Sequence, residues 1–163
     1  MGTHDIKIDL YDAFLYEQDE DLLKDENMIY CNNCKKLSEG IYQQKIYSLP
    51  KLLIIVLNRG KNNQDFNEEI NIEEKLDFSA QVFPMQKAPY NKFYLCGIIT
   101  HLGKSGSDGH FISYCRNDPN SNEFICYNDA SSTKVDIKRA MEMKISTKEN
   151  EKKTPYILFY HYY

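Results

Sequence analysis

The sequence predicts an α+β fold: one domain built mainly on an antiparallel sheet with a few helices. A single helix-like segment near the start is followed mostly by strand-like segments. These strands are joined by short turns, which favours hairpins over the helical crossovers of a parallel sheet. The chain has 163 residues and 42% hydrophobic content, which is enough to bury a core. We find no internal repeat and no interdomain linker.

The first third of the chain predicts one amphipathic helix and one tight turn. Asp9 is a candidate N-cap, and apolar residues follow it at helical spacing through LYDAFLYEQDEDLL. YCNNCKK then forms a polar turn that carries the thiols of Cys31 and Cys34. IYQQKIYSLP alternates like a strand, and Pro50 ends it.

The remaining segments predict the sheet. KLLIIVLNR is apolar on both faces and is expected to be a central strand covered on both sides. Residues 60–74 predict an exposed connection with a short strand around Ile70 and Ile72. FYLCGIITHLG is strand-like, and FISYCRN and EFICYND form a hairpin across the turn DPNSN. VDIKRAMEMK predicts a short helix, KENEKK a solvated charge run, and PYILFYHYY a final strand.

Composition argues against several classes of partner. The formal net charge is -4 and the pI is near 5.6, so the chain has no excess of positive charge for nucleic acid or anionic lipid. Its longest apolar run is too short to cross a bilayer, and its first residues lack the regions of a signal peptide. We therefore expect a soluble intracellular protein. Five cysteines, an odd number, argue against a disulfide framework.

The stretch GHFISYCRNDPNSNEFICYNDAS carries the predicted chemistry. His110 follows a glycine-bearing loop, and the second strand of the hairpin ends on Asn128 and Asp129. Strand pairing about the turn brings the start of one strand to the end of the next. A side-chain oxygen on one imidazole nitrogen fixes the tautomer, so that the other nitrogen can take a proton from a thiol. The alternative is that Asn128 and Asp129 only shape a turn.

Several ordered motifs resemble those of the ubiquitin-specific proteases, the largest family of deubiquitinating cysteine hydrolases. The family's YxLxGVxxHxGxxxxGHYxxYxxN and WYxFDDxxV stand here as YLCGIITHLGKSGSDGHFISYCRN and FICYNDASSTKV. PYILFYHYY resembles AYxLFY, and YCNNCKK followed by LPKLLIIVLNRG resembles YCxxCxx and LPxxLxxxLKRF. The resemblance covers nearly the whole chain.

The resemblance implies the C-terminal half of a papain-like cysteine protease fold. Residues 1–50 correspond to an N-terminal helix and a fingers remnant with the C-x-x-C pair, and residues 51–163 to the palm. His110 takes the position of the general base, Asn128 that of the third triad member, and Asp129 that of an adjacent polar residue. The implied reaction is cleavage of the isopeptide or peptide bond after the C-terminal glycine of ubiquitin.

The resemblance also implies a channel for the ubiquitin tail, because Gly103 to Gly109 matches the family's blocking loop. Small loop residues allow the close backbone approach that a tail ending in two glycines needs. Phe111 and Phe124 replace the usual Tyr and Trp, and Gly60 replaces an aromatic beside Arg59, where different packing is expected. The positions implied to bind the tail are His101, Gly103, Ser105, Gly109 and Phe111, with a structural role as the alternative for His101.

Cys31 and Cys34 resemble half of the structural zinc ribbon of the family. A tetrahedral site needs four ligands. Either the other pair lies outside this sequence or the site has degenerated, and the chain alone is expected to bind zinc weakly. The resemblance implies no cofactor for catalysis, only a possible structural zinc in the complete domain.

The Cys box of the family, GLxNLGNTCYxNxxLQ, has no match in this chain. The nucleophile is therefore expected to lie outside the sequence, in the N-terminal half of the same catalytic domain. Ubiquitin and ubiquitinated proteins are the expected partners. The alternative is an inactive module that binds ubiquitin or another partner through the same surface; a zinc-ribbon interaction module, a third reading, rests on the C-x-x-C pair alone.

Overall fold

The computed structural model describes most of the chain around one large sheet. The described residues are 8–59, 69–80, 82, 90–103, 108–116, 118–145 and 152–163. Within these ranges no helix has the length and apolar character that crossing a membrane requires.

Eight strands of the described residues form this central sheet, in which every pairing is antiparallel. The strands are β6 (Leu52–Val56), β8 (Lys75–Asp77), β9 (Lys92–Gly103), β10 (His110–Cys115), β11 (Glu123–Asn128), β12 (Ser131–Asp136), β13 (Lys144–Ile145) and β14 (Lys152–Tyr162). Their main order in the sheet is β12-β11-β10-β9-β14-β13, with β6 added to β14 and β8 added to β9. The antiparallel α+β fold predicted from the sequence is confirmed.

The core lies on one face of the central sheet. Alternate side chains of β9 and β14, such as Phe93, Leu95 and Leu158, are fully buried because successive strand residues point to opposite faces. Helix α1 (Leu10–Tyr16) covers this face through aromatic contacts. The ring of Phe14 meets Phe78 edge-on at 5.0 Å, and Phe78 meets Phe93 at 6.2 Å.

Helix α1 begins as predicted but is shorter than its apolar pattern suggested. Asp9 caps it, accepting a hydrogen bond from the Tyr11 backbone N–H at 2.8 Å. It ends at Tyr16, before the acidic run EQDED, because negative charge at a helix C-terminus opposes the helix dipole. The last two leucines of the predicted helix belong to strand β2 (Asp21–Leu23) instead.

Four short strands form two small pairs after α1, which we call the N-terminal hairpins. β2 pairs with β5 (Gly40–Tyr42), and inside that pair β3 (Ile29–Cys31) pairs with β4 (Lys36–Ser38). A 3₁₀ turn, Asp25–Asn27, precedes β3. The predicted strand in IYQQKIYSLP was wrong beyond Tyr42: only Ile46 pairs further, in an isolated parallel bridge to Val82.

Strand β6 is not the doubly covered central strand that its sequence predicted. Within the described residues it pairs only with β14, and Leu52, Ile54 and Val56 on one of its faces are exposed. An apolar run on both faces shows that both faces favour burial, but it does not show what covers them. Here only one face is covered by the described chain.

Three shorter segments match their predictions only in part. The connection 60–74 contains a strand, β7 (Ile70–Asn71), which pairs in parallel with β1 (Ile8–Asp9), while residues 60–68 lie outside the described part. Helix α2 (Ile137–Met141) is shorter than predicted, because Asp136 caps it and Val135 still belongs to β12. Much of KENEKK lies outside the described residues, and its last two lysines already belong to β14.

Candidate active site

The hairpin of β10 and β11 determines which side chains meet at its open end. Ser113 lies opposite Tyr127 and Cys115 opposite Ile125, so the first residue of β10 reaches the last residue of β11 diagonally. Residues 118–122, the turn that the sequence predicted, lie between the two strands. Residue 117, just before this turn, lies outside the described residues. His110 and Asn128 are thereby brought to the same edge of the central sheet, as the hairpin prediction required.

His110 and Asn128 are directly hydrogen bonded. The distance from His110 Nε2 to Asn128 Oδ1 is 2.7 Å. A carboxamide oxygen only accepts hydrogen bonds, so this contact places the ring proton on Nε2 and leaves Nδ1 as an acceptor. The His110 side chain is 42% exposed, so the imidazole can be reached by a group brought from elsewhere. This is the arrangement of a base with its orienting partner.

Asp129 shapes the turn and also lies near the imidazole. Its φ is 51°, a left-handed conformation that Asp adopts more easily than most residues, and it begins the two-residue connection to β12. Its Oδ2 is 3.7 Å from His110 Nε2, with the carboxylate 81% exposed. Solvent screens a charge this exposed, so Asp129 is the weaker of the two partners of His110.

Sequence reasoning missed Ser131, which stabilises the same turn. Its hydroxyl donates to the backbone carbonyl of Asn128 at 2.8 Å. This bond anchors the backbone from which the carboxamide reaches His110. A serine three residues after Asn128 was the available signal, because serine side chains commonly bond to nearby backbone groups in turns.

The two glycines at the ends of the predicted blocking loop lie close together, Gly103 as the last residue of β9 and Gly109 just before β10. A Cβ on Gly103 would lie 2.3 Å from the Asp108 carbonyl oxygen and 3.0 Å from Gly109 Cα. Gly109 has a φ of 153°, which residues with a side chain rarely adopt. Ser105, another residue of the predicted tail channel, lies outside the described residues.

The other predicted tail residues divide into one exposed ring and one buried ring. Phe111 is exposed, and its ring meets Tyr156 edge-on at 5.7 Å. His101 is only 4% exposed, and burial lowers the pKa of its imidazole below the ordinary value. Its ring contacts that of Phe111, with 4.9 Å between centroids.

Phe124, which replaces the family's usual Trp, and Arg59, the neighbour of the replaced aromatic, are both packed in the protein interior. Phe124 is fully buried, and the guanidinium of Arg116 lies over its ring at 5.3 Å. Arg59 is buried and donates from Nε to the Pro155 carbonyl at 2.8 Å. Its neighbour Gly60 lies outside the described residues.

Cys31 and Cys34 lie at the tip of the β3–β4 hairpin with their Sγ atoms 3.1 Å apart. Hydrogen bonds from the Cys34 backbone N–H and thiol hold the pKa of Cys31 below its usual value. Among the described residues no group of three or more His, Cys, Asp or Glu side chains is placed to hold a metal. Two thiols are half of the four ligands that a tetrahedral zinc requires, so the pair does not fit zinc without further ligands.

The remaining three cysteines lie in strands of the central sheet. Burial raises the pKa of Cys96 and of Cys115, the opposite of what a nucleophilic thiol needs. Cys126 is partly buried in β11. None of the five cysteines lies in a described helix. Within the described residues, His110 therefore has an orienting partner but no thiol set up as its nucleophile.

Comparison with known proteins places these residues in context. The family model "Ubiquitin carboxyl-terminal hydrolase" matches residues 22–160. Ubiquitin carboxyl-terminal hydrolase 9 of Saccharomyces cerevisiae is 28% identical over 151 residues, which cover 89% of this chain and 19% of that protein. The chain thus spans about a fifth of the length of this relative.

Solved structures share the fold. The SAGA DUB module of Ubp8, Sgf11, Sus1 and Sgf73 bound to monoubiquitin matches with a TM-score of 0.73 at 20% identity, over 98% of this chain and 34% of that one. The module bound to ubiquitin aldehyde matches with a TM-score of 0.68 at 21% identity, over 99% and 34%. The mainly antiparallel sheet with few helices is therefore that of the papain-like fold in these neighbours, of which the chain covers about a third.

Proposed function

This chain belongs to the ubiquitin carboxyl-terminal hydrolase family, and we propose that it supplies the His110 and Asn128 half of a cysteine-protease site. The complete site cleaves the isopeptide or peptide bond after the C-terminal glycine of ubiquitin. The observation that carries the proposal is the 2.7 Å bond from His110 Nε2 to Asn128 Oδ1, which leaves Nδ1 as the base. Ubiquitin and ubiquitinated proteins are the proposed partners.

In the proposed mechanism His110 moves one proton in each half-reaction. Nδ1 takes the proton of a cysteine thiol, and the thiolate attacks the carbonyl carbon of the ubiquitin terminus. The imidazolium then gives that proton to the departing amine, which leaves a thioester. Nδ1 next takes a proton from water, whose oxygen attacks the thioester. The ubiquitin C-terminal carboxyl group is released, and the imidazolium returns its proton to the departing thiolate. Asn128 holds the ring in position throughout without adding a charge.

We propose that the thiol comes from an N-terminal half of the same catalytic domain. The described chain leaves an apolar face uncovered on β6, where Leu52, Ile54 and Val56 are exposed. The neighbouring strand in the sheet, β14, continues that face with Ile157 and Phe159, which lie opposite Val56 and Ile54. Exposed apolar surface of this kind marks a contact with another body. The short coverage of relatives, 19% of one and about a third of others, supports the same proposal.

A second candidate function is an inactive module that binds ubiquitin or a partner through the same surface. The observation that favours it is chemical: none of the five cysteines has both an exposed position and a base beside it. The mass of the native protein separates the candidates. A longer chain with an upstream Asn-x-Cys-aromatic peptide supports the hydrolase, and a native mass near 19.2 kDa supports the binding module.

The catalytic test compares three variants in the native protein, with ubiquitin carrying a fluorogenic C-terminal amide as substrate. We expect His110→Ala to lower kcat at least about 10³-fold and Asn128→Ala about 10²-fold, because the first removes the base and the second its orientation. Asp129→Gly tolerates the left-handed backbone and removes only the exposed carboxylate, so it is the matched control and should lose less than about tenfold.

Two outcomes would overturn the proposal. Turnover near the parent level in His110→Ala would remove His110 from the mechanism. Micromolar binding of ubiquitin by titration calorimetry that His110→Ala leaves unchanged, with no turnover in the parent protein, would establish the binding module instead.

The exposed ring of Phe111 offers a separate test of the proposed tail channel. If the ubiquitin tail passes over this ring, Phe111→Ala should raise KM severalfold and leave kcat nearly unchanged, because the ring contacts the tail in ground and transition states alike. An unchanged KM would exclude Phe111 from the channel.

A further inference from the structure

His101 lies on the face of the central sheet opposite to His110, directly behind the residues that lead into β10. In the β9–β10 pairing His101 lies opposite Phe111, and Leu102 lies opposite His110. The same register continued by one step brings Gly103 opposite Gly109. His101, Gly103, Gly109 and Phe111 therefore share one face, because side chains two residues apart in a strand point the same way.

The imidazole of His101 occupies the space that side chains at both glycines would need. A Cβ on Gly103 would lie 2.6 Å from His101 Cε1. A Cβ on Gly109 would lie 2.4 Å from both Cε1 and Nε2 of the same ring. These distances are far shorter than any non-bonded carbon contact, so the ring and two glycines form one close-packed unit.

Other groups surround the ring. The ring of Phe111 meets it edge-on with 4.9 Å between centroids, and Phe111 in turn packs on Tyr156. On the other side of β9, buried Thr154 of β14 lies opposite His101. With 4% of the residue exposed, the ring is enclosed by protein and has little surface left for a substrate.

We propose that His101 is a positioning residue: its buried imidazole holds Gly103 and Gly109 in place and so fixes the backbone from which His110 reaches Asn128. This inference rests on the proposed function, because it names a residue that acts through the proposed base. It adds a second reason for the glycines, which leave room for the ring as well as for a substrate backbone.

The expected effect is on the geometry of the base. His110 follows Gly109 directly, so a shift of Gly109 moves the start of β10 and lengthens the 2.7 Å bond to Asn128. A displacement of about 1 Å at a reacting group costs about 10²-fold in rate. A residue that instead contacts the ubiquitin tail would change KM, because tail binding contributes to substrate affinity.

The test compares His101→Ala with His101→Phe in the native protein, with His161→Ala as the control that removes another histidine of the same sheet. We expect His101→Ala to lower kcat about 10²-fold with KM changed less than about twofold. His101→Phe keeps a ring behind the glycines and should recover at least about a tenth of the parent kcat. His161→Ala should leave both constants near their parent values.

A spectroscopic measurement makes the result independent of activity. In ¹⁵N-histidine-labelled protein, the hydrogen-bonded Nε2 proton of His110 gives a downfield signal that reports its bond to Asn128. This signal should be lost in His101→Ala and retained in His101→Phe and His161→Ala. If the parent protein shows the signal but hydrolyses no ubiquitin conjugate, the proposed function fails, and the signals of the variants still decide the role of His101.

Clear outcomes would overturn the inference. One is a folded His101→Ala variant that keeps both the parent kcat and the His110 signal. Another is a raised KM with an unchanged kcat, which would make His101 a tail contact. If His101→Ala does not fold, His101→Asn takes its place, since it removes the ring but keeps a polar side chain, and the same comparison with His101→Phe applies.

Discussion

The central sheet and the N-terminal hairpins are built from similar strands but differ in what covers them. In β9 and β14, residues such as Phe93, Leu95 and Tyr160 are fully buried. Between residues 11 and 48, by contrast, no residue is buried. The hairpins there expose large apolar side chains: Leu22, Ile29, Tyr30, Leu37, Ile41 and Tyr42.

This difference shows that strand pairing alone does not make a stable unit. A two-stranded hairpin satisfies its backbone hydrogen bonds but has no second layer against which to bury its apolar face. The central sheet has that layer, because α1 and Phe78 pack against one of its faces. The hairpins carry apolar residues suited to burial without a covering element in the described chain.

The largest expected contrast is in local opening. Backbone amides of β9 and β14 should exchange with deuterium at least about 10³-fold more slowly than those of β2 and β5 in this chain. The first set opens with the whole fold, whereas the second opens by local fraying. Hydrogen exchange followed by mass spectrometry of peptides measures both sets in one sample. Equal protection would show that the hairpins are stabilised as strongly as the sheet.

A matched pair of leucine truncations makes the same comparison at single residues. Leu95→Ala removes a fully buried side chain of β9 and should lower the free energy of unfolding by about 3 kcal/mol. Leu37→Ala removes a side chain that is 59% exposed in β4 and should change it by less than about 0.5 kcal/mol. Urea denaturation provides both values. A large loss at Leu37 would reveal a packing partner for the hairpins.

The pH dependence of stability should reveal a buried histidine in the central sheet. Burial lowers the pKa of His101 in the folded chain below its ordinary value of about 6.5. As the pH falls through about 6.5 the unfolded chain takes up the proton first, so stability is lost on going from about pH 7 to 5.5. The slope from this group is at most about 1.4 kcal/mol per pH unit.

His101→Phe provides the control for that measurement, because it removes the titrating group and keeps a ring at the position. Its stability should vary less between about pH 7 and 5.5 than that of the parent chain. If both chains lose stability equally over this range, the pH dependence belongs to other groups.

The smallest expected effect concerns metal at the N-terminal hairpins. The chain alone should lose zinc on dialysis against a chelator, because Cys31 and Cys34 supply only two ligands. Zinc should accordingly raise the melting temperature by less than about 1 °C, and Cys31→Ser should behave like the parent chain. Stoichiometric zinc retained after dialysis would contradict this and would require ligands beyond the pair.

The cap of α1 and the pairing of β10 with β11 could be predicted from the sequence because both depend on local rules. Asp9 caps α1 as expected, and the turn between β10 and β11 brings His110 to Asn128 as hairpin pairing requires. The catalytic, metal and tail-binding assignments stay predictions, since their tests lie in solution.

Long-range contacts explain what sequence patterns missed. The apolar pattern of α1 ran on into β2 because leucines at helical spacing also suit a strand, and only pairing with β5 separates the two. The apolar run of β6 predicted a central strand covered on both faces, yet among the described residues β6 pairs only with β14, and no described segment covers Leu52, Ile54 and Val56.

The sequence by itself determined the α+β class, the β10–β11 hairpin and the family, because periodicity, turn residues and motif spacing are local properties of the chain. Only the tertiary structure decided that β6 pairs with β14 alone in the described part of the chain and that the ring of His101 fills the space beside Gly103 and Gly109. Which faces are covered, and which atoms come within a few ångströms across strands, depends on how distant segments pack. Spacing along the chain does not encode those distances directly.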